Sequence, residues 1–356
     1  MSAWNWTIRP ASAGETPRVL ELVRAVHGDR YPELDARYWR WRYYNDAGYG
    51  ATVFVAELDG QPIGLRPVAL FDYRWGTQAL RGAMYTGVLT HPAHRRKGVF
   101  RSLVNAANAY VAEAGAAFAM TLPNDASLPG FRNASDWVFP GLIPVYVKLL
   151  DARRVLAARL TRPLAALLGP VANRGFGRAA PPDPAVTTAC VSTLPDAIDA
   201  VAADFARDAG TLMIARPAAF WNWRYAAHPH IAYDLIVAHA AETCLGAVAT
   251  AVNDRYGAPA GMIVDIAARD REAGLAHLLG AAERHLVDRG AALITCQATT
   301  PLLQRALRRC GYRRLPARLA PKKFNFVYRL TGAAPLHAEP RRLEDWHLMF
   351  GDSDNA

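Results

Sequence analysis

The sequence predicts an α/β protein made of two tandem copies of one fold, of which the first alone keeps a ligand-binding turn. Three observations carry the prediction. Residues 87–100 have the pattern of a buried strand, a His91-Pro92 corner and a basic turn that opens a helix. The run Tyr38-Trp39-Arg40-Trp41-Arg42-Tyr43 recurs 182 residues later as Phe220-Trp221-Asn222-Trp223-Arg224-Tyr225. Self-similarity at a fixed spacing marks a repeated structural unit. Between the copies stands Ala179-Ala180-Pro181-Pro182-Asp183-Pro184, a breaker-rich stretch that suits a linker.

In the first copy, residues 52–57 form a strand-like run that leads through a turn to Gly64. After the strand at 87–90, Val99, Leu103, Ala106 and Tyr110 are spaced four, three and four apart, so they share one helix face. Gly115 stands where that helix is expected to stop. The turn between strand and helix holds Arg95, Arg96 and Lys97, then Gly98. A strand feeding a helix N-terminus aims backbone N–H groups outward and makes an anion site. Gly98 lets a ligand approach the backbone closely. A pyrophosphate is the ligand this turn suits.

Arg95-x-x-Gly98-x-Phe100 resembles the acyl-CoA pyrophosphate loop of the GNAT N-acetyltransferases, R/Q-x-x-G-x-G/A, with Phe100 departing from the family's small residue. Downstream, Phe118-Ala119-Met120-Thr121-Leu122-Pro123-Asn124-Asp125-Ala126-Ser127-Leu128-Pro129-Gly130-Phe131 resembles the next strand of that fold and the start of its helix. The resemblance implies a mixed central sheet flanked by helices in each copy. It implies acetyl-CoA or another acyl-CoA as cofactor, and acyl transfer to a primary amine. The pyrophosphate end would be held by Arg95, Arg96, Lys97, Gly98, Val99, Phe100, Arg101 and Ser102. The pantetheine arm would lie along Val88, Leu89 and Thr90, with Asn124 and Phe131 beside it. Many family members carry a tyrosine where Phe131 stands, and phenylalanine has no proton to give a departing thiolate. Tyr85, Asn124 and Asp125 are the catalytic candidates near the strand ends, and the base is left open among Tyr85, Asp125 and His91. His91, followed by Pro92, also suits a structural corner.

The second copy has strand-like runs at 234–238 and 262–266 and a helical stripe of Leu275, Leu278, Leu279, Ala282 and Leu286. Gly64 pairs with Gly246 at the same offset of 182, but Gly115 pairs with Gly290 and Trp137 with Tyr312 at 175. Length is therefore lost between Gly246 and Gly290, the interval that holds the turn in the first copy. Asp270 and Glu272 stand there instead, where they would repel a pyrophosphate. The expected division is 1–150 for the first copy, 151–184 for a basic amphipathic linker, 185–330 for the second copy and 331–356 for a tail. The aromatic run at 38–43 recurs beside the copy without a turn, which points to packing rather than sugar stacking. The tail cluster Trp346-His347-Leu348-Met349-Phe350 is expected to dock on the body of the protein.

At 356 residues, 52% hydrophobic and 20% charged, the chain has the composition of a soluble protein with two cores. Trp4, Trp6 and Ile8 form no continuous apolar run, so no secretory signal is expected and the location is expected to be cytoplasmic. Residues 155–171 are broken by Arg159, Arg162 and Pro163 and cannot span a bilayer. The basic segment 151–178 suits packing between domains, or a peripheral membrane contact. Cys190, Cys244, Cys296 and Cys310 form no metal-ligand spacing, so buried free thiols and no metal are expected. The net charge of +10 favours anionic partners. The two-copy layout and tail resemble acetyltransferase-like proteins of bacterial polysaccharide gene clusters, which implies an amino sugar as acceptor. Two other readings stay open: an aminoacyl-tRNA-dependent transferase, which the charge permits, and a non-catalytic acyl-CoA-binding scaffold.

Overall fold

The computed structural model describes residues 5–29, 31, 34–133, 136–157, 176, 183–254, 258–320 and 322–353. Its first half contains β1 (Thr7–Pro10), α1 (Thr16–His27), α2 (Ala36–Tyr43), β2 (Ala51–Leu58), β3 (Gln61–Trp75) and β4 (Gln78–Tyr85). There follow β5 (Leu89–Thr90), α3 (Val99–Glu113), β6 (Phe118–Thr121), α4 (Leu128–Arg132), β7 (Val138–Leu142) and β8 (Val145–Leu149). After α5 (Ala152–Ala157) come β9 (Thr187–Val191), α6 (Ala197–Ala209), β10 (Leu212–Ile214), α7 (Ala218–Trp221), β11 (Asp234–Ala240) and β12 (Thr243–Asn253). The series closes with β13 (Ala260–Ala268), α8 (Ala273–Asp288), β14 (Leu293–Gln297), α9 (Pro301–Arg309), β15 (Arg313–Arg314) and β16 (Asn325–Leu330).

Side-chain alternation sorts the layers. On β2, Val53 and Val55 join the cluster that holds Val19 and Leu22 of α1, while Phe54 and Ala56 join Val99 and Leu103 of α3. The strand is thus covered on both faces, one helical layer on each. The buried line of α3 is Val99, Leu103, Ala107 and Val111, with Ala106 and Tyr110 half-buried at its flank. A Cβ on Gly64 would lie 2.8 Å from Val99, and one on Gly246 would lie 2.9 Å from Leu278. The paired glycines therefore seat the equivalent helices, α3 and α8, against their own sheets.

The first sheet runs β1-β2-β3-β4-β6-β16-β7 and the second β9-β11-β12-β13-β14-β8-β15. In each, one parallel pair sits at the centre, β4 with β6 and β13 with β14. The sheets are not sorted by chain order. Strand β8 pairs with β14 in the second sheet, and β16 pairs with β6 in the first. Each copy thus gives its late strand to the other. Strand β10 also crosses over and extends β3, with Leu212 opposite Trp75.

A matching exchange joins the recurrent aromatic runs. The Trp41 indole donates to the Trp223 carbonyl at 2.7 Å, and the Trp223 indole donates to the Trp41 carbonyl at 2.9 Å. Tyr38, Trp39, Trp41 and Tyr43 are all buried, as are Trp221, Trp223 and Tyr225. The tail docks as well: Trp346 packs against Phe118, Phe326 and Tyr328 at ring separations of 4.9–5.1 Å.

Cys244, Cys296 and Cys310 are buried free thiols, whereas Cys190 is exposed, contrary to expectation. It lies on β9, whose outer edge no strand covers among the described residues, and the side chains there meet solvent. Most of the expected linker, 151–184, lies outside the described residues. Among those described, no helix is long and apolar enough to cross a membrane.

Strand exchange sets a testable requirement. A fragment ending at Pro184 lacks β16, which lies between β6 and β7, and bares the apolar faces that Trp346 and Phe326 cover. Such a fragment should be poorly soluble or bind a hydrophobic dye strongly in gel filtration and fluorescence assays.

Candidate active site

The site begins at a break in the β3 ladder. Pairing between β3 and β4 runs as far as Val68 opposite Tyr85, and pairing with β5 starts at Leu65 opposite Leu89. Residues 86–88 thus face residues 66–67, one residue more on the outer strand, which is a β-bulge. Pro67 sits at this break. Its carbonyl accepts from the Thr86 N–H at 3.4 Å, but it has no N–H to return. Gly87 takes up the turn with φ +39°.

The bulge swings β5 away from β6, whose parallel pairing with β4 covers Gly82 to Met84 alone. The gap between them is a cleft of about 300 Å³, lined among others by Tyr43, Arg66, Tyr85, Val88, Asn124 and Phe131. The His91 N–H donates to the Ile63 carbonyl at 2.9 Å. Neighbouring residues of a strand point their N–H groups to opposite sides, so Thr90 and Val88 turn theirs toward the gap.

The chain then enters the basic turn. A short 3-10 turn, Pro92–His94, is capped by His91, whose Nδ1 accepts the Ala93 N–H at 3.3 Å. His91 therefore serves as a corner. Arg96 at φ +61° and Gly98 at φ +100° both adopt the left-handed conformation, and α3 starts at Val99. Two left-handed residues in a tight turn ahead of a helix start gather successive N–H groups into an anion-binding nest. The N–H groups of Val99, Phe100 and Arg101 are the ones no helix satisfies internally. Arg95, Arg96, Phe100 and Arg101 are exposed, with Val99 buried beneath. Trp6 walls one side: its indole donates to Ser102 Oγ at 3.2 Å, and its ring lies 3.8 Å from where a Gly98 Cβ would stand. This nest fits a pyrophosphate in shape and charge.

The second copy fills the same position from within. The Asp270 carboxylate accepts the N–H groups of Glu272 at 2.8 Å and Ala273 at 2.9 Å, at the start of α8. These bonds hold its carboxyl below the usual carboxylate range. Strand β13 also carries a one-residue bulge, Val264, at the equivalent place, between the pairs Thr250–Ile263 and Ala249–Asp265, but it stays paired with β12 up to Ala268, and the face equivalent to the cleft is closed. There Arg216 Nε meets Asp265 at 2.7 Å, Arg216 Nη2 meets Asp352 at 2.8 Å, and the Tyr225 hydroxyl donates to Asp265 at 2.6 Å.

Of the residues expected at the site, Val88, Leu89, Tyr85, Asn124 and Phe131 all line the cleft. The Tyr85 hydroxyl donates to Asn108 Oδ1 of α3 at 2.8 Å, and burial pushes it up to about 12. Asn124 is exposed and caps the next turn, its Oδ1 accepting the Ser127 N–H at 2.9 Å. Asp125 stands beside the cleft, where its Oδ1 accepts from Asn325 Nδ2 at 3.0 Å. Phe131 is buried, edge-on to Trp137 at 4.8 Å and to Phe100 at 6.5 Å. The large side chain at position 100 thus leans toward Phe131 along the cleft rim.

Other lining residues carried no sequence motif. His27 ends α1, exposed, and stacks on Tyr31 at 4.2 Å; partial desolvation, with Arg95 nearby, lowers its pKa below the ordinary value. Lys322, Lys323, Asp352 and Ser353 arrive from the second half of the chain. Burial pushes Asp352 up to about 6 against the pull of Arg216. Arg66 alone left a trace, as a charge inside the apolar run 63–71.

The model of the acetyltransferase (GNAT) domain family matches residues 7–136. No protein of curated function matches the chain. Among solved structures, a GCN5-related N-acetyltransferase from Anabaena variabilis superimposes with a TM-score of 0.66 at 11% identity, over 92% of this chain and 73% of that one. A probable N-acyltransferase from Enterococcus faecalis gives 0.63 at 11% identity, with the same coverage of 92% and 73%. Eis1 from Mycobacterium abscessus gives 0.54 at 18% identity, over 92% and 74%. These likenesses establish a shared fold across both copies.

The bond from Tyr85 to α3 ties the end of β4 to the helix that opens at the nest. Tyr85→Phe should lower stability by about 1 kcal/mol, the net value of one hydrogen bond, in urea unfolding. A protein of unchanged stability would show that this hydroxyl does not hold the cleft wall.

Proposed function

Starting from a chain whose residues 7–136 place it in the GNAT superfamily of N-acetyltransferases, we propose that it transfers an acyl group, most simply acetyl, from acyl-CoA to a primary amine. The observation that carries this reading is the left-handed nest at Arg96 and Gly98, which follows in the chain after β5, the strand that lines the cleft at the β4–β5 bulge. Arg95, Arg96, Lys97 and Arg101 with the α3 N-terminus hold the pyrophosphate. The N–H groups of Val88 and Thr90 face the pantetheine arm and the thioester carbonyl, where charge develops during transfer. Acyl-CoA brings the activated thioester; the protein brings position and proton handling.

The acceptor enters beside His27, Tyr31 and Tyr43. A cleft of about 300 Å³ suits a small molecule or one residue of a larger one. An amino sugar of a cell-envelope or extracellular polysaccharide is the acceptor we favour, on the resemblance of the two-copy layout alone. His27 takes the amine proton, since its lowered pKa favours the neutral imidazole and it lines the cleft. Phe131 gives no proton, so the thiolate leaves as such or is protonated by solvent. A thiol with a reference pKa of roughly 8.5 makes that tolerable.

Calorimetry with acetyl-CoA should give one site per chain. Gly98→Val should weaken binding at least about tenfold, because it strains a φ of +100° and closes the nest. Asp270→Ala with Glu272→Ala should leave the affinity unchanged. Two sites, or full affinity in Gly98→Val, would refute the assignment.

The base carries a pH signature. His27 must be unprotonated to accept a proton, and its pKa lies below the ordinary 6.5. The rate constant kcat/KM should therefore hold steady downward through neutral pH and fall only below that lowered value. His27→Gln should remove this acid limb and lower kcat/KM about a hundredfold. An acid limb that survives in the variant would assign the base elsewhere.

A further inference from the structure

Arg66 is 1% exposed, on the central strand β3, and it faces the cleft. Among the described residues its Nε and Nη2 meet no hydrogen-bond acceptor. Its guanidinium lies 4.4 Å from the centroid of the Tyr85 ring, a contact that supplies attraction but no acceptor atom. Burial pushes its pKa down to about 10, so the group still carries a full charge at neutral pH. The carboxylate that shares the cleft, Asp352, is already held by two bonds from Arg216 at 2.8 Å.

A buried, charged arginine without a counter-ion is costly, and removing one partner of a buried pair leaves this condition. Such a group is retained where a ligand supplies the missing charge. Position narrows which charge. Arg66 stands opposite the bulge at 86–88, where β4 and β5 part, and the pyrophosphate nest at 95–101 lies beyond β5 at the other end of the path. The phosphates of CoA are thus accounted for elsewhere. His27, Lys322 and Lys323 add basic groups to the same cleft.

On the acyl-transfer reading, we infer that Arg66 binds a carboxylate carried by one of the two substrates, next to the reacting centre. The planar fork of the guanidinium, with Nε and Nη2 unspent on one edge, matches a carboxylate in a bidentate pair. The carboxylate belongs either to the acyl group, as in succinyl-CoA, or to the amine acceptor, as in an amino acid or an amino-sugar acid. No covalent change at Arg66 is involved; the pair forms on binding and parts on release.

Two matched series test this on the full-length protein. One sets succinyl-CoA against acetyl-CoA and butyryl-CoA. The other sets tyrosine against tyramine, ornithine against putrescine, and glucosaminuronic acid against glucosamine, with acetyl-CoA as donor. The carboxylate-bearing member of one series should be preferred at least about thirtyfold in kcat/KM, as loss of a buried charge partner implies. Arg66→Met, close in volume and uncharged, should erase that preference while acetyl-CoA affinity in calorimetry stays within about twofold. Arg66→Lys keeps the charge without the fork and should erase most of it, which serves if the Met variant fails to fold. The series that shows the preference identifies the source. Acetyl-CoA binding with no preference in either series, or a preference that survives in both variants, would overturn this inference and leave the acyltransferase reading standing. Absence of acetyl-CoA binding in the unaltered protein would overturn both.

Discussion

The reciprocal pair Trp41 and Trp223 is the contact on which the two-copy arrangement depends. Each indole N–H ends on the other's carbonyl, and the rings lie 5.6 Å apart at 22°. The neighbouring arginines repeat the exchange, Arg42 over the Trp223 ring and Arg224 over the Trp41 ring, at 5.9 and 5.7 Å. All four side chains are buried. An indole N–H left unpaired at such depth costs on the order of 1–3 kcal/mol, so losing either acceptor within the assembled protein would be costly. The pair therefore works as a pseudo-two-fold axis, and the exchange of β8 and β16 follows the same symmetry. Local sequence repetition becomes global architecture at this point.

From that symmetric start the copies diverge at one place, the path from the fourth strand of the sheet to the next helix. In the first copy β4 stops at Tyr85 and α3 starts at Val99, leaving room for bulge, corner and nest. In the second, β13 runs to Ala268 and α8 starts at Ala273. The shorter path keeps an internal carboxylate, Asp270, where the longer one presents N–H groups to a ligand. The second copy is not idle, however. Its tail supplies Asp352 and Ser353 to the cleft, and Arg216 with Asp265 pins them there. One copy carries the nest, and the other builds a wall.

Much of this was legible in the residues. The Trp/Tyr repeat, the glycines at 64 and 246, and the shortened interval gave the two-copy fold because each is a local pattern with a local cause. The turn at Arg95 to Gly98 was legible for the same reason, since nest and helix start are consecutive in the chain. The exchange of β8 and β16 was not, because a strand's partner is chosen by complementary faces far away in sequence. The cleft walls from α1, from Lys322 and from Asp352 were hidden likewise. Exposure of Cys190 turned on which strand forms the sheet edge, a property of topology that composition does not carry. The bulge had a visible mark in Pro67, but its meaning needed the register of both neighbouring strands.

The exchanged strands also bear on how the polypeptide is made. The first sheet has a gap between β6 and β7 until residues 325–330 reach it, whereas the second takes in a strand, β8, synthesised long before the rest of it. Contacts between positions 118–121 and 327–330 span about two hundred residues, the kind of pairing that slows folding through the entropy of closing a long loop. As the chain leaves the ribosome, the first half must wait, with an open edge on β6, for nearly the whole second half to emerge. Domain-by-domain folding during synthesis is therefore closed to it, and its apolar edges are the surfaces a chaperone would meet first.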